Sequence, residues 1–143
     1  MTQLPPSQSI DDDYTFRLLG VLTAAGRETA EGWSEIGLLI NFDPNTYELR
    51  TFSSVVWRSQ HYDSWITDAL QNELINTALG WLKALYDAGY PLWTSMFLGI
   101  NSDKHFLWEP SYEADFGPWR VDLEGDNWPT VAAGLRKMGV DTQ

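Results

Sequence analysis

The feature that most constrains the fold is a long amphipathic stretch between residues 63 and 89. Asp63 or Ser64 can cap its start, and Gly89 before Pro91 is typical of a helix end. About 25 residues in a helix span about 40 Å, which is long enough to pack across a whole sheet. The apolar side chains recur every three or four positions, which predicts one buried helical stripe, formed by Ile66, Leu70, Leu74, Ala78, Leu82 and Leu85 and widened by Ile75, Leu79 and Tyr86.

Two other stretches alternate with a period of two around a central turn, which predicts two antiparallel hairpins. The first hairpin, residues 33–58, turns at Asp43-Pro44-Asn45-Thr46. Its first strand is expected to have one strongly buried face, formed by Ile36, Leu38, Ile40 and Phe42. The second hairpin, residues 93–109, turns at Asn101-Ser102-Asp103-Lys104, and residues 119–123 predict one further short strand.

A helix is predicted near each end of the chain. Helical spacing covers residues 10–25, with Gly26 as the stop. The aspartates at 11–13 suit the dipole of its first turn better than they suit a metal site. The second helix runs from Asn127, as its cap, to Gly139. The order of elements predicts an α+β fold, in which an antiparallel sheet built from hairpins packs against a long central helix with N- and C-terminal helices.

Composition excludes several classes of function. The chain has 143 residues, no cysteine and a formal net charge of −11. Thiol catalysis, disulfides and cysteine-ligated metals are therefore excluded, and nucleic acid or an anionic membrane is disfavoured as a direct partner. The sequence has no secretory signal pattern and no stretch of about 20 apolar residues. We expect a cytoplasmic protein without a cofactor or metal, with a disordered tail at residues 1–9 and a single domain at residues 10–143.

Catalytic motifs are sparse in this sequence. The two histidines, His61 and His105, fall in different predicted elements and match no metal-ligand or hydrolase spacing. Glu109 and Glu113 lie beside aromatic residues, which leaves open a carbohydrate-binding or small hydrolytic domain that uses exposed aromatics and a carboxylate pair. Because acids this numerous also pair by chance, we expect the protein not to be an enzyme.

Residues 108–128 interleave acidic and aromatic residues, with Arg120 as their one basic residue. An anionic surface with rigid aromatic anchors suits docking onto a basic protein groove. The alternative is that the rings point inward and the acids outward on ordinary strands and loops. Trp119 and Trp128 lie next to helix-breaking residues and are expected to be partly exposed. The candidate partner-binding residues are the acids Glu109, Glu113, Asp115, Asp122, Glu124 and Asp126, with Tyr112 and Trp119 as anchors.

Short motifs along the chain are similar to those of a known family. They are Gly32-Trp33, Leu82-Lys-Ala-Leu-Tyr86, Pro91-Leu-Trp93-Thr94, Phe97-Leu98-Gly99-Ile100 and Phe106-Leu-Trp-Glu-Pro-Ser-Tyr112-Glu113. Over residues 10–115 the chain resembles the YezG-like family of bacterial antitoxin and immunity proteins. The resemblance implies an α+β fold and a cytosolic, non-enzymatic protein that neutralises a cognate secreted toxin, often a nuclease.

The charge pattern agrees with what the resemblance implies. A nuclease groove carries Lys and Arg side chains that hold phosphates, so carboxylates at matching positions attract it over a long range. Charge then speeds association, and aromatic anchors slow dissociation. We expect an immunity protein or antitoxin whose partner is a toxin domain with a basic surface. The oligomeric state, and the choice between plugging the toxin's active site and binding beside it, stay open.

Overall fold

The structure is a computed structural model that describes residues 8–29, 33–57, 60–63 and 67–139. This part of the chain forms three α-helices, five strands and a short 3₁₀ helix at Gly117–Trp119. The helices are α1 (Gln8–Thr29), α2 (Asp68–Asp87) and α3 (Trp128–Lys137). The strands are β1 (Glu35–Asp43), β2 (Glu48–Trp57), β3 (Gln60–Asp63), β4 (Ser95–Asn101) and β5 (Phe106–Ser111).

The five described strands form one antiparallel sheet in the order β3-β2-β1-β4-β5. The predicted α+β class, with an antiparallel sheet and helices at both ends of the chain, is confirmed. Strand β3 was not predicted. One row of residues runs across four strands of the sheet, each residue being the partner of the next: Arg50, Asn41, Ser95 and Ser111. The segment that carries most of the candidate partner-binding residues follows this row.

The sheet has a hydrophobic core on each face. Helices α1 and α2 cover the first face, where Leu38, Leu98 and Trp81 are completely buried. Helix α3 and the 3₁₀ helix cover the second face, where they pack against Leu39 and Phe97. Strand β1 is therefore buried on both faces, and the prediction of one strongly buried face was wrong. Alternation within β1 could not reveal that a helix from the other end of the chain covers its second face.

Helix α1 extends two residues before and four residues beyond the predicted range 10–25. The prediction that Gly26 stops this helix was wrong. Gly26 lies inside the helix and faces Trp33, and a Cβ at this position would lie 2.6 Å from Trp33 Cε2. The missing side chain thus lets the residues that lead into β1 pack directly on α1. Residues 1–7 of the predicted tail lie outside the described residues.

Helix α2 begins later than predicted. Asp63, one of the predicted caps, lies in β3, and Ser64 lies outside the described residues. The cap is Thr67, whose hydroxyl oxygen accepts a hydrogen bond from the Leu70 N–H at 3.4 Å. The predicted stop at Gly89 is confirmed by its left-handed φ of +79°. The helix has 20 residues, and its buried residues are Leu74, Ala78, Trp81, Leu82 and Leu85.

The strand predicted at residues 119–123 is not formed, since the chain there makes the end of the 3₁₀ helix and an irregular loop. Asn127 precedes α3, but its side chain makes no capping hydrogen bond. Instead the Asn127 amide donates to the Asp122 carbonyl and accepts from the Asp122 N–H, both at 2.7 Å. Asn127 therefore closes the loop before the helix, and this use of its side chain replaces the predicted cap.

Strand β5 forms one edge of the sheet and contains Pro110. The Asn101 N–H donates to the His105 carbonyl at 2.9 Å, and hydrogen-bonded pairs recur at every second residue of an antiparallel ladder. Pro110 lies opposite Met96 and therefore falls between bonded pairs, with its nitrogen toward the open edge. The missing N–H breaks no ladder bond there, and it opposes the addition of another strand.

None of the helices in the described part of the chain has the combined length and apolarity that crossing a bilayer requires.

Candidate docking surface on the crossing segment

Residues 112–127, which we call the crossing segment, connect β5 to α3 and carry most of the candidate partner-binding residues. The segment starts after Ser111 on β5 and passes Ser95 on β4 and Asn41 on β1, which it contacts through hydrogen bonds. Its residues 120–124 then line a groove with Arg50 on β2. It therefore crosses three gaps between strands, about 14 Å at about 4.8 Å for each gap.

Two hydroxyl groups fix the first half of the crossing segment to the start of β4. The Thr94 hydroxyl donates to the Glu113 carbonyl at 2.6 Å. The Ser95 hydroxyl donates to the Phe116 carbonyl, also at 2.6 Å. Both hydroxyl-bearing residues are buried, so the bonds that hold the backbone beside Glu113 and Asp115 are partly shielded from water.

Asn41 fixes the second half of the segment. Its amide nitrogen donates to the Trp119 carbonyl at 2.8 Å, and its amide oxygen accepts from the Val121 N–H at 2.7 Å. The Asn41 side chain is only 3% exposed and satisfies two backbone groups that would otherwise be buried without partners. Sequence reasoning missed this residue, because a polar side chain inside an apolar strand gives no indication of a partner about 80 positions away.

The expectation that Trp119 is a partly exposed anchor was wrong. Trp119 is 2% exposed, its ring lies 5.2 Å from the Phe97 ring between centroids, and Lys137 covers its outer side. The hydrogen bonds to Asn41 draw the 3₁₀ helix into the second core, and the ring follows. Trp119 is part of the second core and holds the segment against the sheet. Trp128 is half-buried, as expected.

Three of the candidate acids hold local turns with their carboxylates. Asp115 accepts from the Gly117 N–H at 3.2 Å, Asp122 accepts from the Glu124 N–H at 3.0 Å, and Asp126 accepts from the Trp128 N–H at 3.0 Å. All three side chains are exposed. A carboxylate that bonds to its own backbone keeps its charge at the surface, so this turn chemistry both shapes the segment and fixes the direction of each charge.

Glu113 and Glu124 are also exposed, whereas Glu109 is not a free charge. The Glu109 carboxylate, on β5, forms an ion pair with Lys137 on α3 at 2.7 Å, and its side chain is 34% exposed. Glu113 accepts a long hydrogen bond from the Ser111 hydroxyl at 3.3 Å. Glu109 thus connects β5 to α3. Of the two carboxylates considered above as a catalytic pair, Glu109 and Glu113, the first is therefore already paired with Lys137.

Tyr112 is 53% exposed and lies near the start of α1. Partial burial raises the pKa of its phenol, and the carboxylate of Asp11 raises this pKa further. Asp11 is itself only 8% exposed and accepts a hydrogen bond from the Trp81 indole at 2.9 Å. Asp11 therefore has a buried role that the reading of residues 11–13 as dipole partners did not anticipate.

The structure adds one apolar candidate to the crossing segment. Leu123 is 65% exposed and lies between Asp122 and Glu124. With Arg50 and Arg120 these residues line an open groove of about 460 Å³. Sequence reasoning missed Leu123 because residues 119–123 were read as a strand, in which its position would face the core.

His61 lies in the edge strand β3 and His105 lies just before the opposite edge strand, β5, so the fold does not bring the two histidines together. His105 is exposed in the turn before β5, and the His61 side chain lies outside the described residues. In the part of the chain that the structure describes, no group of three or more His, Asp or Glu side chains is placed to hold a metal ion.

A comparison with protein-family models finds no match for this chain, and a comparison with curated proteins finds none either.

Proposed function

We propose that this protein is an immunity protein or antitoxin that binds and neutralises a cognate toxin domain with a basic surface, of the nuclease class. The partner-binding surface is the crossing segment. The proposal assigns the protein no catalytic role, no cofactor, no direct nucleic-acid partner and a cytoplasmic location. It rests on the motifs of the YezG-like resemblance and on the charge and geometry of this segment.

The observation that carries the proposal is a set of five exposed carboxylates on one fixed segment. The segment crosses about 14 Å of sheet, and Thr94, Ser95 and Asn41 hold its backbone by buried or partly buried hydrogen bonds. A surface that needs no reordering on binding loses little conformational entropy, so more of its interaction free energy appears as affinity. The five are Glu113, Asp115, Asp122, Glu124 and Asp126.

Two exposed apolar residues are the proposed anchors. Leu123 lies among the acids at the β2 end of the segment, and Tyr112 lies at the β5 end. They replace Trp119 in the direct contact. Apolar and aromatic side chains that an interface buries contribute mainly to slow dissociation, whereas the surrounding charges contribute mainly to fast association. Arg120, inside the groove, then fixes the register by pairing with an acid of the partner or by excluding a wrongly placed cation.

The first experiment identifies the partner and measures its neutralisation. The tagged full chain is used to capture proteins from the lysate of its source organism at low and moderate salt, and the captured protein is assayed for cleavage of DNA and RNA. The proposal predicts a basic partner whose nuclease activity is abolished at a ratio of about one to one, as expected for a tight complex. A stable partner that is not basic, or one whose activity survives saturation, would overturn the proposal.

A charge-neutralised variant tests the assigned surface. Asp→Asn and Glu→Gln replacements of the five carboxylates retain the oxygen that accepts each turn hydrogen bond, so the backbone should keep its shape. The net charge changes from −11 to −6. The matched control makes the same change in net charge at exposed acids outside the segment: Asp12, Glu28, Asp68, Glu73 and Asp103.

The two variants have different expected outcomes. The crossing-segment variant should bind the captured toxin at least about tenfold more weakly, since several close charge pairs are lost together. The control variant should stay within about threefold of the wild type, because distant exposed charges are screened over about 10 Å at 0.1 M salt. Equal effects of the two variants would mean that net charge alone acts and that the crossing segment is not the docking surface.

A further inference from the structure

A second groove lies at the other end of the sheet, between α1 and the turn that connects β4 to β5. It has a volume of about 380 Å³. Phe16 on α1 and Phe106 on β5 meet edge to face at its rim, with ring centroids 6.0 Å apart, and they are 64% and 45% exposed. Two exposed aromatic rings in contact form an apolar patch of the kind that marks interaction sites. The groove ends at Ile100, about 17 Å along β4 from Ser95 and the crossing segment.

The helix side of the groove is a stripe of small residues. Gly20, Thr23 and Ala24 line the groove between Phe16 and Arg27, all on one face of α1. A Cβ at Gly20 would meet nothing within 4 Å, so this part of the helix is open to solvent. Small side chains let another backbone approach closely, and the lining of the groove on α1, from Phe16 to Arg27, is about 16 Å long, which is about three helical turns.

The groove carries positive charge on a strongly acidic protein. Arg27 and Lys104 line it, and both are exposed. Four other cations in the described residues form the ion pairs Arg17–Asp13, Arg50–Glu48, Lys83–Asp87 and Lys137–Glu109. No ion pair is formed by Arg27 or Lys104 within the described part of the chain. Their chain neighbours Glu28 and Asp103 are acidic, but neither lines the groove.

We infer that this groove binds an amphipathic helix of a partner protein that carries carboxylates beside its apolar face. The partner's apolar residues would lie on Phe16, Phe106 and the small stripe, and its carboxylates would pair with Arg27 and Lys104. The lining of the groove on α1 runs for about three helical turns and combines exposed aromatic and small residues with two cations, as a groove for such a helix requires. Its charge is opposite to that of the crossing segment, so the two surfaces take partners of opposite charge, and this inference does not depend on the proposed function.

The test uses the full chain, labelled with ¹⁵N, and a synthetic helical peptide with Leu and Phe on one face and Asp and Glu beside them. A peptide of the same composition in scrambled order is the first control, and a peptide with Lys in place of every acid is the second. At about 0.15 M salt the Debye length is about 8 Å, so the distant acids are largely screened while the cations of the groove still act. Saturable shifts of the amide resonances of Phe16, Gly20, Ala24, Lys104 and Phe106, with the acidic peptide alone, are expected.

Variants separate binding from folding. Gly20→Leu fills open space in the groove and replaces a mid-helix glycine, so the protein should keep or gain thermal stability while peptide binding is lost. Gly20→Ala gains the same helical preference without blocking the groove, and it should bind within about threefold of the wild type, since one methyl adds little bulk. Binding by Gly20→Leu at wild-type strength would overturn the inference.

The charge requirement has its own matched pair. Arg27→Glu or Lys104→Glu should weaken peptide binding by about tenfold, because each reversal replaces an ion pair with a repulsion. Arg120→Glu makes the same change at an exposed cation on the crossing segment and should have no effect. Three results would each overturn the assignment to an acidic helix. They are equal losses in all three variants, shifts confined to another surface, and tighter binding of a fatty acid, laurate, than of the peptide.

Discussion

Replacement of Asn41 by alanine tests the claim that the crossing segment is rigid. The substitution leaves the Trp119 carbonyl and the Val121 N–H without their buried partner. An unsatisfied buried backbone group costs about 1–3 kcal/mol, so two of them cost about 2–6 kcal/mol, and water that enters the space lowers the upper end to about 5 kcal/mol. Natural domains have unfolding free energies of about 5–15 kcal/mol, so a loss of this size is easily measured.

The stability change is measured by urea denaturation, and the local effect by hydrogen exchange of the Val121 amide. Asn41→Ala should lower the unfolding free energy by about 2–5 kcal/mol and leave the m-value unchanged. Exchange at Val121 should accelerate by more than at Leu39, which lies in the same strand as Asn41 but forms ordinary ladder bonds. The acids on the loosened segment should then bind their partner more slowly or less tightly.

Two further variants decide what a given result means. Asn41→Asp keeps an acceptor for the Val121 N–H but replaces the donor to Trp119 with a buried charge, so it should destabilise at least as much as Asn41→Ala. Asn76→Ala, on the exposed side of α2, removes an asparagine that has no such role and should change the unfolding free energy by less than about 0.5 kcal/mol. A loss below about 0.5 kcal/mol for Asn41→Ala would refute the reasoning, because the two buried bonds would then not hold the segment.

Three other perturbations follow from the contacts of buried groups. Trp81→Phe removes the indole N–H that Asp11 accepts and leaves a small cavity, so urea denaturation should show a loss of about 2–4 kcal/mol; a loss below about 1 kcal/mol would contradict the assigned bond. Gly37→Ala would place a Cβ against Val131 and should cost about 1–3 kcal/mol, part of which Val131→Ala should restore if the contact between β1 and α3 is the cause. The folded protein raises the pKa of Tyr112 above the ordinary 10.0, so it holds the phenol proton more tightly than the unfolded chain does. The stability that this proton contributes is complete below the pKa of the unfolded chain, 10.0, and is lost as the pH rises through the higher pKa of the folded protein. The Tm of the wild type should therefore fall more steeply toward high pH than the Tm of Tyr112→Phe. Parallel curves would show that Tyr112 is not responsible.

The regular elements could be predicted because their signals are local. The alternation of Ile36, Leu38 and Ile40 gave β1, and the spacing of Leu74, Ala78 and Leu82 gave the body of α2. Helix α2 begins later than predicted, since Asp63, one of the two predicted caps, lies in β3 and Thr67 is the cap. Local patterns of this kind depend on backbone geometry with periods of 2 and 3.6 residues, which the sequence displays directly.

The errors arose where residues distant in sequence decide the environment. The alternation places Leu39 on the solvent side of β1, but α3 covers that face. Trp119 was expected to be exposed, but its carbonyl accepts a hydrogen bond from Asn41 and its ring is buried in the second core. Asp11 looked like a dipole partner, yet it bonds to Trp81 across a sequence separation of 70 residues. These contacts depend on how the layers stack, and one chain's periodicity does not report stacking.

In the candidate site, the local turns could be predicted from the sequence, but the contacts between distant residues could not. Asp115 and Asp122 accept from N–H groups two positions later, at Gly117 and Glu124, and such turn chemistry can be expected from Asp near Gly and other loop residues. The pairing of Glu109 with Lys137 could not be expected, because it joins β5 to a helix on the far side of the loop. The exposure of Leu123 required the knowledge that its stretch is a loop.

The most direct test of the central claim is the association rate of the full chain with the captured toxin, measured by stopped flow from about 0.02 to 0.5 M salt. The proposed docking surface predicts fast association at low salt, a steep fall as salt increases, and a much flatter dependence for the variant with the crossing-segment carboxylates neutralised. The matched control variant should retain the wild-type slope. The claim is contradicted if the crossing-segment and control variants show the same salt dependence, since the five carboxylates would then have no special position opposite the toxin.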